Sequence, residues 1–123
     1  MPHTTMLEPT TKTITVTITG LWTEADAAAI KEELERLLPA AGNRQVAIDL
    51  ETAVRYDGTE ARRRTAKLLT DFGITHMAVY NARPAVRILV KILINLVSDA
   101  TTAKFFSTRE EAVAWLLQER NSQ

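Results

Sequence analysis

Apolar residues alternate with threonines from Thr13 to Thr19, with Ile14, Val16 and Ile18 on one side and four hydroxyls on the other. This period of two predicts a half-buried β-strand. Thr4 to Leu7 reads as its hairpin partner across Glu8, Pro9 and Thr10. After Gly20 the period becomes helical. Thr23 with Asp26 three residues on predicts a capped helix start, and Ala27, Ile30, Leu34, Leu37 and Leu38 share one face. Pro39 with Gly42 is the expected stop.

Gln45 to Leu50 is a short apolar run ending in Asp49-Leu50 and reads as a buried strand. Asp57, with Glu60 three residues later, is the expected cap of a second helix whose core face is Ala61, Thr65, Leu68, Leu69 and Phe72, with Gly73 as its stop. Ile74 to Tyr80 reads as a central strand. A third helix is expected from about Arg83 to Ser98, a short strand over Ala103 to Phe106, and a last helix capped by Ser107 with Glu110. The order is β-β-α-β-α-β-α-β-α. Helices of ten or more residues between strands point to right-handed βαβ units. The fold class is therefore α/β: a mixed sheet of four to five strands packed against about four helices. The whole of 1–123 forms one domain, with an ordered core over about 11–119. The threonine face implies that this part of the sheet is not covered on both sides. Ile48, Val79, Leu34, Leu68, Leu93 and Trp115 are expected to be buried, and Trp22 to cover an end of the core.

The chain has 123 residues, with 15 Lys plus Arg balanced by 15 Asp plus Glu. Zero net charge argues against nucleic acid as a partner. The absence of cysteine removes disulfides and thiol chemistry. No apolar run approaches the roughly 18 residues of a membrane span. The N-terminus lacks a signal-peptide pattern, so a cytoplasmic protein is expected.

Catalytic constellations are missing. Ser98, Ser107 and Ser122 have no histidine in a triad-like setting, and Gly20, Gly42, Gly58 and Gly73 are too scattered for a phosphate loop. His3 and His76 have no carboxylate at metal-ligand spacing, and His76 reads as a structural, hydrogen-bonded residue. Asp49, Glu51 and Asp57 are read as a loop-amide acceptor, a solvated side chain and a helix cap, in preference to an acid–base set. Arg62, Arg63, Arg64 and Lys67 read as a solvated helix face, with Glu60 pairing to Arg63 or Arg64. No cofactor, metal or catalytic role is expected.

The third helix carries more apolar residues than one sheet-facing stripe needs. Ala85, Val86, Leu89, Ile92, Leu93 and Leu96 would supply that stripe, leaving Ile88, Val90, Ile94 and Val97 over. Ile88, Val90 and Ile94, rimmed by Arg83, Arg87 and Lys91, are therefore expected to meet another chain or an apolar ligand.

The ending AKFFSTREEAVAWLL (Ala103 to Leu117), preceded by HMAVYNARPAVRILVKIL (His76 to Leu93), resembles the SpoIIAA-like branch of the STAS superfamily. The final helix shows the family's Glu-Glu-Ala-x-x-Trp-Leu pattern at Glu110, Glu111, Ala112, Trp115 and Leu116. Members acting as anti-sigma-factor antagonists place Asp-Ser-Ser-Gly eight residues after a strand-ending Asp; here Asp49-Leu50 precedes Asp57-Gly58-Thr59-Glu60 at that spacing. The resemblance spans roughly Thr13 to Leu117. It implies a non-catalytic regulatory module binding a protein partner or itself as a homodimer. The switch-equivalent turn is Asp57, Gly58 and Thr59. Gly58 replaces the family's phosphorylated serine, so the usual phosphoswitch is not expected. The alternative is a carrier of a small apolar ligand or lipid, implied by the likeness of the SpoIIAA-like fold to lipid-transfer domains of the CRAL-TRIO type.

Overall fold

The computed structural model describes residues 3–56, 58–97 and 100–121, with backbone alone over 52–56. Its elements follow the expected order: β1 (Thr4–Glu8), β2 (Thr13–Trp22), α1 (Glu24–Ala41), β3 (Gln45–Tyr56), α2 (Gly58–Asp71), β4 (His76–Tyr80), α3 (Pro84–Ile94), β5 (Thr102–Phe106) and α4 (Arg109–Asn121). The five strands form one sheet in the order β1-β2-β3-β4-β5. β1 and β2 are an antiparallel hairpin with Leu7 opposite Ile14; every other neighbour is parallel, with Val46 beside both Ile14 and Met77. In the hairpin turn the Glu8 carboxylate accepts from the Thr11 amide at 2.7 Å and its hydroxyl at 2.6 Å. These bonds hold the Glu8 carboxyl down at about 2.

Three successive crossovers step one strand along in the same direction, so right-handed connections put α1, α2 and α3 on one face. The main core lies there: Ile14, Val16, Val46, Met77 and Val79 meet Ile30, Leu34, Leu68, Leu69, Val86, Val90 and Leu93. The opposite face of β3 and β4 is packed separately, with Ala47, Ala78 and Tyr80 under Ala112 and Leu116 of α4. Small residues on both sides bring α4 close to the sheet. Arg120 fastens its end, donating to the Gln45 side-chain oxygen at 2.9 Å and the Thr11 carbonyl at 2.6 Å. α4 packs over β3, β4 and β5. Thr15, Thr17 and Thr19 of β2 are accordingly only half-buried, and Met6, opposite Thr15, is exposed.

Several local expectations need correction. Pro39 lies inside the last turn of α1 and does not end it; the helix runs on to Ala41, where Gly42 at φ +72° donates its N–H to Leu38 O. Proline costs only one bond there, to the carbonyl of solvent-exposed Glu35. β3 extends past Leu50 to Tyr56, following β2 through two register shifts. The cap of α4 is Thr108, one residue later than expected: its hydroxyl accepts from the Glu111 amide while Glu111 accepts from the Thr108 amide, both at 3.2 Å. Ile48 and Trp115 are half-buried, not buried. Trp115 packs at the side of α4 against His76 of β4 and Phe106 of β5. Trp22 is buried, its indole donating to Thr65 Oγ1 at 2.6 Å. The Thr23–Asp26 capping box is present as expected.

Candidate functional site

The turn before α2 brings Gly58 and Thr59 to the surface at the helix start. Asp57 lies outside the described residues. Gly58 has φ +86°, a left-handed conformation that L side chains adopt only with strain. In the neighbouring basic run Arg63 pairs with Glu60 at 3.4 Å, Arg64 with Glu24 at 3.0 Å and Lys67 with Asp71 at 2.8 Å. These three form a solvated helix face, as their spacing implies; Arg62 is half-buried, and its Nε is buried without a hydrogen-bond partner among the described residues.

α3 starts at Pro84, whose missing N–H and fixed φ suit the first helical position. Its core stripe is Val86, Val90 and Leu93, with Ile94 and Val97 packed partly against the same core. The face left to solvent holds Ile88 at 62%, Ile92 at 40% and Leu96 at 50% exposure. This corrects the expected patch. Val90, at 5% exposure, belongs to the core, while Ile92 and Leu96, expected against the sheet, stand outside it. A helix apolar on nearly all sides gives its sequence no phase; the packing against β3 and α2 sets it.

Arg87 and Lys91 do not surround the apolar row. Their charged groups lie 5.4 and 6.0 Å from the Phe105 ring centroid, on the flank facing β5. At 100° per residue, Ile88 and Ile92 of α3 turn away from that flank. The cations thus border the apolar row on the β5 side only, with Lys91 one turn from Ile88.

Beneath α3 the sheet encloses an apolar cavity of about 50 Å³, lined among others by Ile18, Trp22, Ile48, Leu68, Val90 and Leu93. It has about a third of the roughly 150 Å³ that accommodates benzene in a protein core.

Asp49 accepts from the Glu51 amide at 3.0 Å and from Asn81 Nδ2 at 3.3 Å, tying the middle of β3 to the turn after β4. Glu51 is exposed. His76 meets Thr75 Oγ1 at 2.9 Å and the Glu119 carboxylate at 3.6 Å, and packs edge-on to Trp115. The Tyr80 hydroxyl is pushed above its ordinary pKa by burial, with the Asp49 charge adding to the effect. Among the described residues no group of three His, Asp or Glu side chains could hold a metal.

Sequence reasoning missed one polar pair. His3 accepts from the Thr19 amide through Nδ1 at 3.2 Å, and its Nε2 lies 3.1 Å from Asp26 Oδ2, at ion-pair distance but outside hydrogen-bond geometry. Burial alone would raise the Asp26 carboxyl; bonds from the Thr23 amide and hydroxyl, with His3, outweigh it and hold Asp26 below its ordinary value. The separation of 23 positions left no local signal, because the hairpin alone brings His3 to the start of α1.

Comparison with known proteins places this architecture. An uncharacterised protein with a SpoIIAA-like fold from Shewanella loihica superposes with a TM-score of 0.70 at 18% identity, over 93% of each chain. The anti-sigma factor antagonist SpoIIAA in its unphosphorylated form gives 0.61 at 10% identity, over 94% of this chain and 97% of that one. The Bacillus cell fate determinant SpoIIAA in its phosphorylated form also gives 0.61, at 11% identity over 93% and 98%. At these identities the likeness is one of fold. No curated protein matches the sequence. The SpoIIAA-like family model, however, matches residues 13–117, from the first residue of β2 well into α4, and the chain belongs to the SpoIIAA-like family.

Proposed function

We propose that this protein is a non-catalytic binding module that docks a partner protein on the outer face of α3. One observation carries the reading: Ile88, Ile92 and Leu96 are large branched side chains that face solvent, uncovered among the described residues. Such a row is a cost unless something buries it intermittently. Two solved structures of the same fold are of SpoIIAA, an anti-sigma factor antagonist, a role exercised on another protein. Gly58 stands where the resemblance puts the phosphorylated serine, so binding here is read as independent of that switch. Thr59 is exposed but occupies a different position in the turn.

The occupant is a different protein bound transiently, with an apolar ridge of its own. A stable homodimer needs about 800 Å² from each partner, which three partly exposed side chains over about 12 Å of helix cannot supply. A flat anionic membrane fits less well, because the cations lie on one flank only, seated on Phe105. The second reading, an apolar-ligand carrier, rests on the cavity under α3; its 50 Å³ suits a ligand of a few heavy atoms and leaves no room for an acyl chain.

The test places a photo-crosslinking amino acid at position 92, and a control at position 32 on exposed α1, in cells expressing the protein. The reading expects one product specific to position 92. The purified partner should bind the wild type at least tenfold more tightly than an Ile88→Glu/Ile92→Glu variant. Equal crosslinking from both positions, or equal affinity for the variant, overturns it.

A further inference from the structure

A different surface carries a second interaction. We propose that the outer edge of β5 docks an acidic, extended segment of a partner protein, which joins the sheet as a strand beyond β5. Among the described residues β5 pairs with β4 on one side only. Its outer backbone groups are therefore open to strand addition, where main-chain bonds give affinity and side chains give specificity.

The specificity here is charge. Successive residues Phe105 and Phe106 point to opposite faces of the sheet, and each face carries cations at this edge. On the α3 side Arg87 and Lys91 lie over Phe105. On the α4 side Lys104 lies 5.8 Å from the centroid of Trp115, which packs on Phe106. None of these three cations makes an ion pair among the described residues, whereas Lys31, Arg36, Arg63, Arg64 and Lys67 all do. From Phe72 to Arg109 the sequence has five basic residues, Arg83, Arg87, Lys91, Lys104 and Arg109, against one acid, Asp99. Arg87, Lys91 and Lys104 thus put three cations along one border of the sheet of a neutral chain.

A lysine on an edge strand commonly serves to block aggregation. That accounts for Lys104 alone; Arg87 and Lys91 come from a helix that need not reach the edge at all. The same charges decide the occupant. Two copies pairing antiparallel and centred along β5 would set Lys104 against Lys104 of the second copy, a like-charge pair directly opposite. An acidic strand reverses that repulsion on both faces.

The experiment is an amide NMR titration of the full chain with a capped six-residue peptide of alternating Glu and Val. A Lys–Val peptide of the same length is the control. Shifts should concentrate at Thr102–Phe106, appear only with the acidic peptide, weaken with added salt, and need about tenfold more peptide in a folded Lys91→Glu/Lys104→Glu variant. An Ile88→Ser/Ile92→Ser variant, which adds no charge beside Lys91, should bind the peptide normally, so this proposal and the α3 reading fail independently. Equal binding of the Lys–Val peptide, shifts centred away from β5, or no shift at millimolar peptide would overturn it.

Discussion

At φ +86° Gly58 holds a left-handed backbone with nothing within 4 Å of where a Cβ would sit. Strain alone therefore sets the cost of a side chain there, about 1–2 kcal/mol for an L residue. Gly58→Ser, the change that restores the family's residue, should lower unfolding free energy by that amount in urea, while Thr59→Ser at the next, exposed position should stay within about 0.5 kcal/mol. A neutral Gly58→Ser would contradict this account of the turn. The hairpin offers a second residue-scale test. Glu8, normally near 4.5, is held at about 2 by the Thr11 hydroxyl and amide. A depressed folded pKa means that its stabilising effect is full above about pH 4.5 and fades as pH falls toward 2. Thr11→Val removes the hydroxyl, and carboxyl NMR should then show Glu8 titrating closer to its ordinary value. An unchanged titration would assign the shift elsewhere.

The strands and helices that alternate or cap by local rules were legible before any coordinates. The threonine pattern of β2, the Thr23–Asp26 box and the apolar face of α1 all depend on neighbours within four residues. What escaped depends on partners far along the chain. β3 overran Leu50 because β2 continues beside it to Trp22. The phase of α3 was hidden because Ile88, Val90, Ile92 and Ile94 are chemically alike, and only the sheet distinguishes buried Val90 from exposed Ile88 and Ile92. Of the residues expected in the patch, Ile88 is exposed, Ile94 packs partly against the core and Val90 is buried. The α4 cap was ambiguous in sequence, since Ser107–Glu110 and Thr108–Glu111 both have the required spacing. The hydrogen bonds choose Thr108. Thr108→Ala should cost about 1 kcal/mol in thermal or denaturant unfolding and Ser107→Ala only a few tenths. The reverse order would put the helix start one residue earlier.

For the molecule as a whole, the uneven covering of the sheet leaves distinct surfaces. Three helices crowd one face, α4 covers β3 to β5 on the other, and the hairpin's threonine side stays partly open. Neutral overall, the chain keeps ion-paired charge along α1 and α2, while Arg87 and Lys104 at the β5 border have no ion pair among the described residues. Between these lies the exposed row of α3, and the functional reading depends on that row being spare to the fold. Equilibrium denaturation of Ile88→Glu/Ile92→Glu beside Leu93→Ala tests this most directly. The account predicts that the double variant stays within about 0.5 kcal/mol of wild type, while Leu93→Ala, on the core side of the same helix, loses about 2–5 kcal/mol. A loss of several kcal/mol in the double variant would show that Ile88 and Ile92 belong to the protein's own core, and would contradict a docking role for α3.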